Sequence, residues 1–231
     1  MNKRNILMSP ADSKLFDFFK KQFNVISSDY LEDYISFERY HADMQALRIA
    51  DKLFINSACK KLIKTLEEIG LNYTLCDGIE PKYPKNVALN ASLIGDNIIC
   101  NEKALHPKVK EYCLNSGIKI INVKQGYTKC SILALNENSI ITDDESIAKA
   151  LLINNINVLK IEKGDICLDS VNVGFIGGAS SRIGDTVYFF GDINRHRDSS
   201  EIIKFIDDAS LNIECITDNQ LIDIGGIVLL D

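Results

Sequence analysis

Residues 41–76 read HADMQALRIADKLFINSACKKLIKTLEEIGLNYTLC, and the reading of this stretch decides the fold. It divides into an apolar run, a tight turn at Ala50-Asp51-Lys52, a second apolar run, a helix and a third apolar run. In the helix Leu62, Ile63, Leu66 and Ile69 recur at helical spacing, Lys and Glu fill the other face, and Gly70 stops it. The same order returns in NVALNASLIGDNIIC from Asn86, GYTKCSILALNENSIIT from Gly126 and GFIGGASSRIGDTVYFF from Gly174. Each continues into a helix and a short strand. The turns fall at Gly95-Asp96-Asn97, Asn136-Glu137-Asn138 and Gly184-Asp185-Thr186. Registering the turns aligns His41, Asn86, Tyr127 and Phe175, at spacings of 45, 41 and 48 residues. A period of that size marks a propeller or a solenoid.

A fifth copy is divided between the two ends of the sequence. LIDIGGIVLLD, 221–231, is a first strand with nothing after it. NILMSP, DSKLFDFFKKQF and NVISS, from Asn5 to Ser28, are a second strand, a helix and a third strand with nothing before them. Another 48 residues beyond Phe175 lands on Asp223. Joined in space, the two ends complete a ring, which leaves no long unpaired sheet edges. The expected fold is therefore α/β: a five-fold pseudosymmetric ββαβ propeller, one domain over 1–231, with helices outside and first strands toward the axis.

Local signals fill in the elements. Ser9-Pro10 reads as the N-cap and first position of the first helix, whose apolar face is Leu15, Phe16, Phe19 and Phe23. Pro107 starts the third helix, Thr142-Asp143-Asp144-Glu145 reads as a capping box, and Ile202, Phe205, Ile206 and Ala209 face inward from the fifth. Residues 77–85 and 164–172 read as loops, and 29–40, acidic and aromatic without periodicity, as a connection.

Composition narrows the function classes. The net charge of −6 and the lack of a basic cluster argue against nucleic-acid binding. No apolar run approaches a membrane span, and Met1–Pro10 lacks the apolar core of a signal peptide. Seven cysteines, an odd number without a C-x-x-C pair, read as free thiols in a reducing cytoplasm. No metal constellation is legible, because the three histidines are far apart and none has a ligand at metal spacing. Gly174-Phe-Ile-Gly177-Gly178 lies between two strands and not at a helix start, so it is no dinucleotide or phosphate loop and no cofactor is expected. The Gly177-Gly178 and Gly225-Gly226 pairs fit close backbone approach near the axis.

Polar residues gather where the first strands begin: His41, Asp43 and Gln45; Asn86 and Asn90; Tyr127, Lys129, Cys130 and Ser131; Ser180 and Ser181; Asp223. They fit either a lined central pocket or solvated strand ends. On a strand, His41 and Asp43 share a face, as a general base and its orienter would, or as a surface pair would. Lys129 could help hold a Cys130 thiolate, while a buried strand cysteine explains the same residue. The turn register matches Cys130 with Met44, so strict alternation puts Cys130 on the face opposite His41 and Asp43 unless a bulge intervenes.

The five repeats, together with HADMQAL, GYTKCSILALNENSIITDD, GFIGGASS and DIGGIVLL, resemble the pentein fold of the guanidino-group-modifying enzymes, in a bacterial branch without an assigned function. The resemblance spans essentially the whole chain. It implies that His41 of the H-x-D pattern is a general acid/base and that Cys130, 89 residues later, attacks a guanidinium carbon. It implies that Asp43 and Asp223 grip guanidinium nitrogens, and with Gln45, Asn90, Lys129, Gly177, Gly178 and Ser180 from the strand starts they make up the candidate substrate-binding set. The expected partner is a small cationic, guanidino-type molecule, and a homo-oligomer is left open. The pattern departs from the enzymes at two points: their nucleophile lies near the C-terminus, where this chain has DIGGIVLLD, and their H-x-D comes later in the sequence. The fold also includes a non-catalytic member, the ribosomal anti-association initiation factor, so a binding module is the alternative.

Overall fold

The computed structural model describes residues 3–168 and 173–231. It begins with β1 (Asn5–Met8), α1 (Ser13–Gln22) and β2 (Asn24–Ser27). The second unit is β3 (Ala46–Ile49), β4 (Lys52–Asn56), α2 (Lys60–Glu68) and β5 (Thr74–Cys76). The third is β6 (Ser92–Ile94), β7 (Asn97–Cys100), α3 (Pro107–Asn115) and β8 (Lys119–Asn122). The fourth is β9 (Ile132–Ala134), β10 (Ser139–Thr142), α4 (Glu145–Ile153) and β11 (Asn157–Lys160). After a short β12 (Ile166–Cys167) come β13 (Ser180–Ile183), β14 (Thr186–Phe189), α5 (Ser199–Asp208) and β15 (Asn212–Cys215). The chain closes with β16 (Leu221–Ile222) and β17 (Ile227–Leu229).

Among the described residues there are five three-stranded sheets with one pattern. The first strand pairs antiparallel with the second and the second parallel with the third, as in β3-β4-β5. A parallel pair needs a crossover, and the helix supplies it. The fifth sheet is β17-β1-β2, made from both ends as the repeat predicts: Leu7 lies opposite Val228, and Leu7 opposite Ile26. Each second strand is covered on both sides and reads as a continuous apolar run, such as Leu53-Phe54-Ile55 or Ile98-Ile99. Each helix buries a pair four residues apart: Leu15 and Phe19, Leu62 and Leu66, Val109 and Cys113, Ile147 and Leu151, Ile202 and Ile206. The five first strands line one cavity of about 350 Å³, which marks the axis about which the five units are arranged.

Local expectations change in instructive places. The first strands begin later than the sequence pattern puts them: β3 starts at Ala46, and Ala42–Met44 is a 3-10 turn. The equivalent Lys85–Val87 is also a 3-10 turn, and Ser131 N–H closes a single α-turn on Tyr127 O at 3.0 Å. A helical turn points successive side chains differently from a strand, so alternation fails there. The tail segment is not one strand, because β16 pairs with β12 while β17 joins β1. That places a strand inside the loop expected over 164–172, of which 169–172 lie outside the described residues. The first helix is capped by Asp12, which accepts from Leu15 N–H, and Ser9 accepts from Ala11 N–H instead. Asp144 caps α4, because Thr142 still belongs to β10. No described helix is long and apolar enough to cross a membrane.

Candidate functional site

The turns ahead of β3 and β9 meet at Cys130. Asn90, fully buried before β6, holds the second turn: its Oδ1 accepts from Lys129 N–H at 2.8 Å and Cys130 N–H at 3.3 Å, and its amide donates to Cys130 Sγ at 3.2 Å. Sγ in turn donates to Asp43 Oδ2 at 2.9 Å. Asp43 Oδ1 faces His41 Nδ1 at 4.0 Å and has no hydrogen-bond partner. The face conflict expected between Cys130 and Asp43 therefore does not arise. It rested on strand alternation, and neither residue is on a strand.

The glycines are where backbones converge. A Cβ on Gly177 would lie 2.3, 2.4 and 2.7 Å from the carbonyl oxygens of Ile132, Lys129 and Cys130. A Cβ on Gly178 would meet the Asp223 carboxylate, and one on Gly225, at φ +79°, would meet the His41 side chain at 2.5 Å. Gly178 N–H donates to Cys130 O at 3.0 Å, so the β13 approach buttresses the cysteine turn. Asp223 is fixed by Phe175 N–H on Oδ2 and Gly225 N–H on Oδ1, both at 2.9 Å.

His41, Cys130 and Asp223 open into a cavity of about 170 Å³ with Glu38, Met44, Phe37, Tyr127 and Phe175. Asp43 does not line this cavity but contacts two residues that do, His41 and Cys130. Gln45 does not line it: its amide accepts from Asp29 N–H at 2.8 Å and donates to Asp29 O at 2.7 Å. Lys129 and Ser180 line the axial cavity instead. The sequence reading did not single out Glu38, which sits in the aperiodic 29–40 segment. Its Oε1 accepts from Tyr127 Oη at 2.8 Å and its Oε2 from Asn86 amide at 3.0 Å. Tyr127 stacks between Tyr83 and Phe175, with centroids 5.9 and 6.2 Å away.

Electrostatics follow from this burial. Desolvation pushes Asp43 up to about 6, against the opposing pull of His41, the Cys130 hydrogen bond and Lys129. Burial, then the charges of Asp43 and Asp223, hold the Cys130 thiol well above the ordinary thiol range. The cysteine is therefore a thiol donating to a carboxylate. One donor atom each from His41, Asp43 and Cys130 lie within 4.8 Å of one another, close enough for the three to hold one metal ion. The sequence reading missed that grouping because 87 residues separate Asp43 from Cys130.

Solved structures similar to this one include enzymes that modify guanidino groups. DDAH from Pseudomonas aeruginosa, a cysteine-to-serine mutant complexed with citrulline, is 10% identical at TM-score 0.55, covering 94% of this chain and 93% of that one. C. jejuni agmatine deiminase with substrate bound is 11% identical at TM-score 0.60, covering 99% and 93%. Inosamine-phosphate amidinotransferase from Streptomyces griseus is 10% identical at TM-score 0.56, covering 100% and 94%. At such identities the likeness is one of fold. No curated protein matches the sequence. The chain has the pentein fold and, with residues 9–228 matching the family's model, belongs to the family of unknown function DUF6873.

Proposed function

We propose that this protein is a cysteine-dependent enzyme that cleaves or transfers across a C–N bond of a small guanidino-type cation. The observation that carries the reading is the bridge at the cavity floor: Asp43 takes the Cys130 thiol on one oxygen and faces the His41 imidazole with the other. A guanidinium entering between Asp223 and Glu38 brings positive charge beside Sγ and offsets the carboxylates that hold its proton. The thiol proton passes by way of Asp43 to His41. Sγ then forms a bond to the guanidinium carbon as the C=N π pair moves onto nitrogen. The tetrahedral adduct collapses, the scissile C–N bond breaks, and the leaving amine takes its proton from His41. A water molecule deprotonated by His41 releases the ureido product and the thiol. An acceptor amine in place of water would make the reaction a transfer.

The cavity also supports a substrate class. Among the described residues no Lys or Arg lines it, and aromatic walls flank two carboxylates. That suits a compact guanidine or an amine-bearing one, without a carboxylate of its own. The test is a panel of guanidine, methylguanidine, agmatine and arginine, assayed for ammonia or amine release with acid-quench mass spectrometry of Cys130. Turnover of a carboxylate-free compound with an adduct on Cys130, both lost in Cys130→Ala, is expected. Inertness toward the whole panel would sink the reading.

The second reading is a non-catalytic module that binds such a cation, and the firmly protonated thiol favours it. Saturable guanidine binding that survives Cys130→Ala, with no product from the parent protein, would select it.

A further inference from the structure

The axial cavity shares no lining residue with the Cys130 cavity. The chain passes between them at one peptide, where Lys129 lines the axial cavity and Cys130 the other. The axial cavity has about 350 Å³, the size of a small-molecule pocket. Its charged lining is one-sided: Arg48 from β3, Lys129 from the turn before β9, Arg182 from β13, and no Asp or Glu. This holds in a chain whose net charge is −6. Among the described residues none of the three cations takes part in an ion pair.

Both guanidiniums are anchored without being neutralised. Arg48 Nη1 donates to Leu230 O at 2.6 Å, and Arg182 Nε donates to Gly184 O at 2.8 Å. A guanidinium has five N–H donors, so most remain for another acceptor. Lys129 Nζ touches no carboxylate of the described residues within ion-pair distance, its charge reaching Asp43 only at longer range, and its backbone N–H is held by Asn90. The rest of the wall is Ala, Leu, Ile and Val, mostly from the first strands, with Ser92, Ser180 and Ser181 among them. Like charges converging over an apolar wall repel unless an anion lies between them.

We propose that the axial cavity is a second binding site, for a small organic polyanion whose phosphate or carboxylate oxygens bridge Arg48, Lys129 and Arg182. Phosphates and carboxylates share the planar or tetrahedral oxyanion geometry that guanidinium forks match. The site is independent of the reaction proposed for Cys130 and stands if that reaction fails.

Isothermal titration of the folded protein at low salt, with pyrophosphate and separately with citrate, tests it. One saturable site for either probe is expected, weakened roughly tenfold or more in Arg48→Gln and in Arg182→Gln. Asp223→Asn, in the other cavity, should leave it unchanged. Binding of pyrophosphate alone assigns a phosphate ligand, and binding of citrate alone a carboxylate. Absence of saturable binding by both probes overturns the proposal. So does binding that is indifferent to the Arg48→Gln/Arg182→Gln double variant, its fold verified by circular dichroism.

Discussion

Asp43 works against the fold that holds it. Its buried carboxyl is raised from the ordinary 3.8 to about 6 by desolvation. Between those values the folded state holds a proton that the unfolded chain has lost. Stability therefore falls as pH rises through that window, and the full deficit is present above about 6. Asp43→Asn removes the deficit. We expect it to be more stable than the parent at pH 8, by on the order of 2 kcal/mol, with the difference vanishing near pH 4. Urea unfolding at the two pH values measures this, and a variant destabilised equally at both would refute it. On the proposed mechanism the same change lowers guanidine turnover roughly 100-fold or more, since an amide oxygen still accepts the thiol's hydrogen bond but cannot take its proton. A residue that gains stability and loses activity when neutralised belongs to a site and not to a core.

The elements divide into those legible from their own residues and those set by distant ones. All five helices are legible, because an apolar pair four apart on a charged background has one reading. The second strands are legible as apolar runs between turns. The lead-in turns are not: His41-Ala-Asp43 and Lys129-Cys130-Ser131 carry polar residues that suit a strand end and a helical turn equally. This is why the sequence singled out a histidine, a cysteine and an aspartate that share one cavity but misjudged their local geometry. Gln45 and Glu38 exchanged expectations for a related reason, since the aperiodic 29–40 segment packs back through contacts invisible in one dimension. Within it, Asp29 caps α2 from outside, accepting from Lys61 and Leu62 N–H at 2.9 Å each, while Cys59 at the helix start offers no cap. Asp29→Ala should cost about 1–2 kcal/mol in chemical unfolding, an effect that no local motif around α2 foretells. Gly177→Ala tests the buttress behind the cysteine turn. Its Cβ meets three backbone oxygens that have no rotamer to escape by. A loss of about 1–3 kcal/mol is expected, with faster alkylation of Cys130 as its turn loosens. Unchanged stability would mean that the approach of β13 to this turn is looser than described.

At the scale of the molecule, the ring is closed by pairing its two ends. β17 lies antiparallel to β1, and Asn5 N–H donates to Asp231 Oδ1 at 3.0 Å across 226 residues, with the Asn5 amide on Oδ2. Linking the ends and reopening the chain in the exposed 78–82 loop should therefore preserve the fold, with a melting temperature within a few degrees of the parent. Deleting 227–231 should instead leave an insoluble or molten chain, because β1 loses its partner. If the permutant fails to fold while the deletion folds, closure does not hold the ring together. The same closure has a consequence during protein synthesis. β1 is made 226 residues ahead of the end of the pairing, so at roughly 5–20 residues per second it waits on the order of 10–50 s with a bare edge. Asp223 and Gly225 are made only just before β17. A chain that has not yet reached β17 thus carries Cys130 and His41 without the strand that closes the ring, and its thiol stays out of use until that strand pairs.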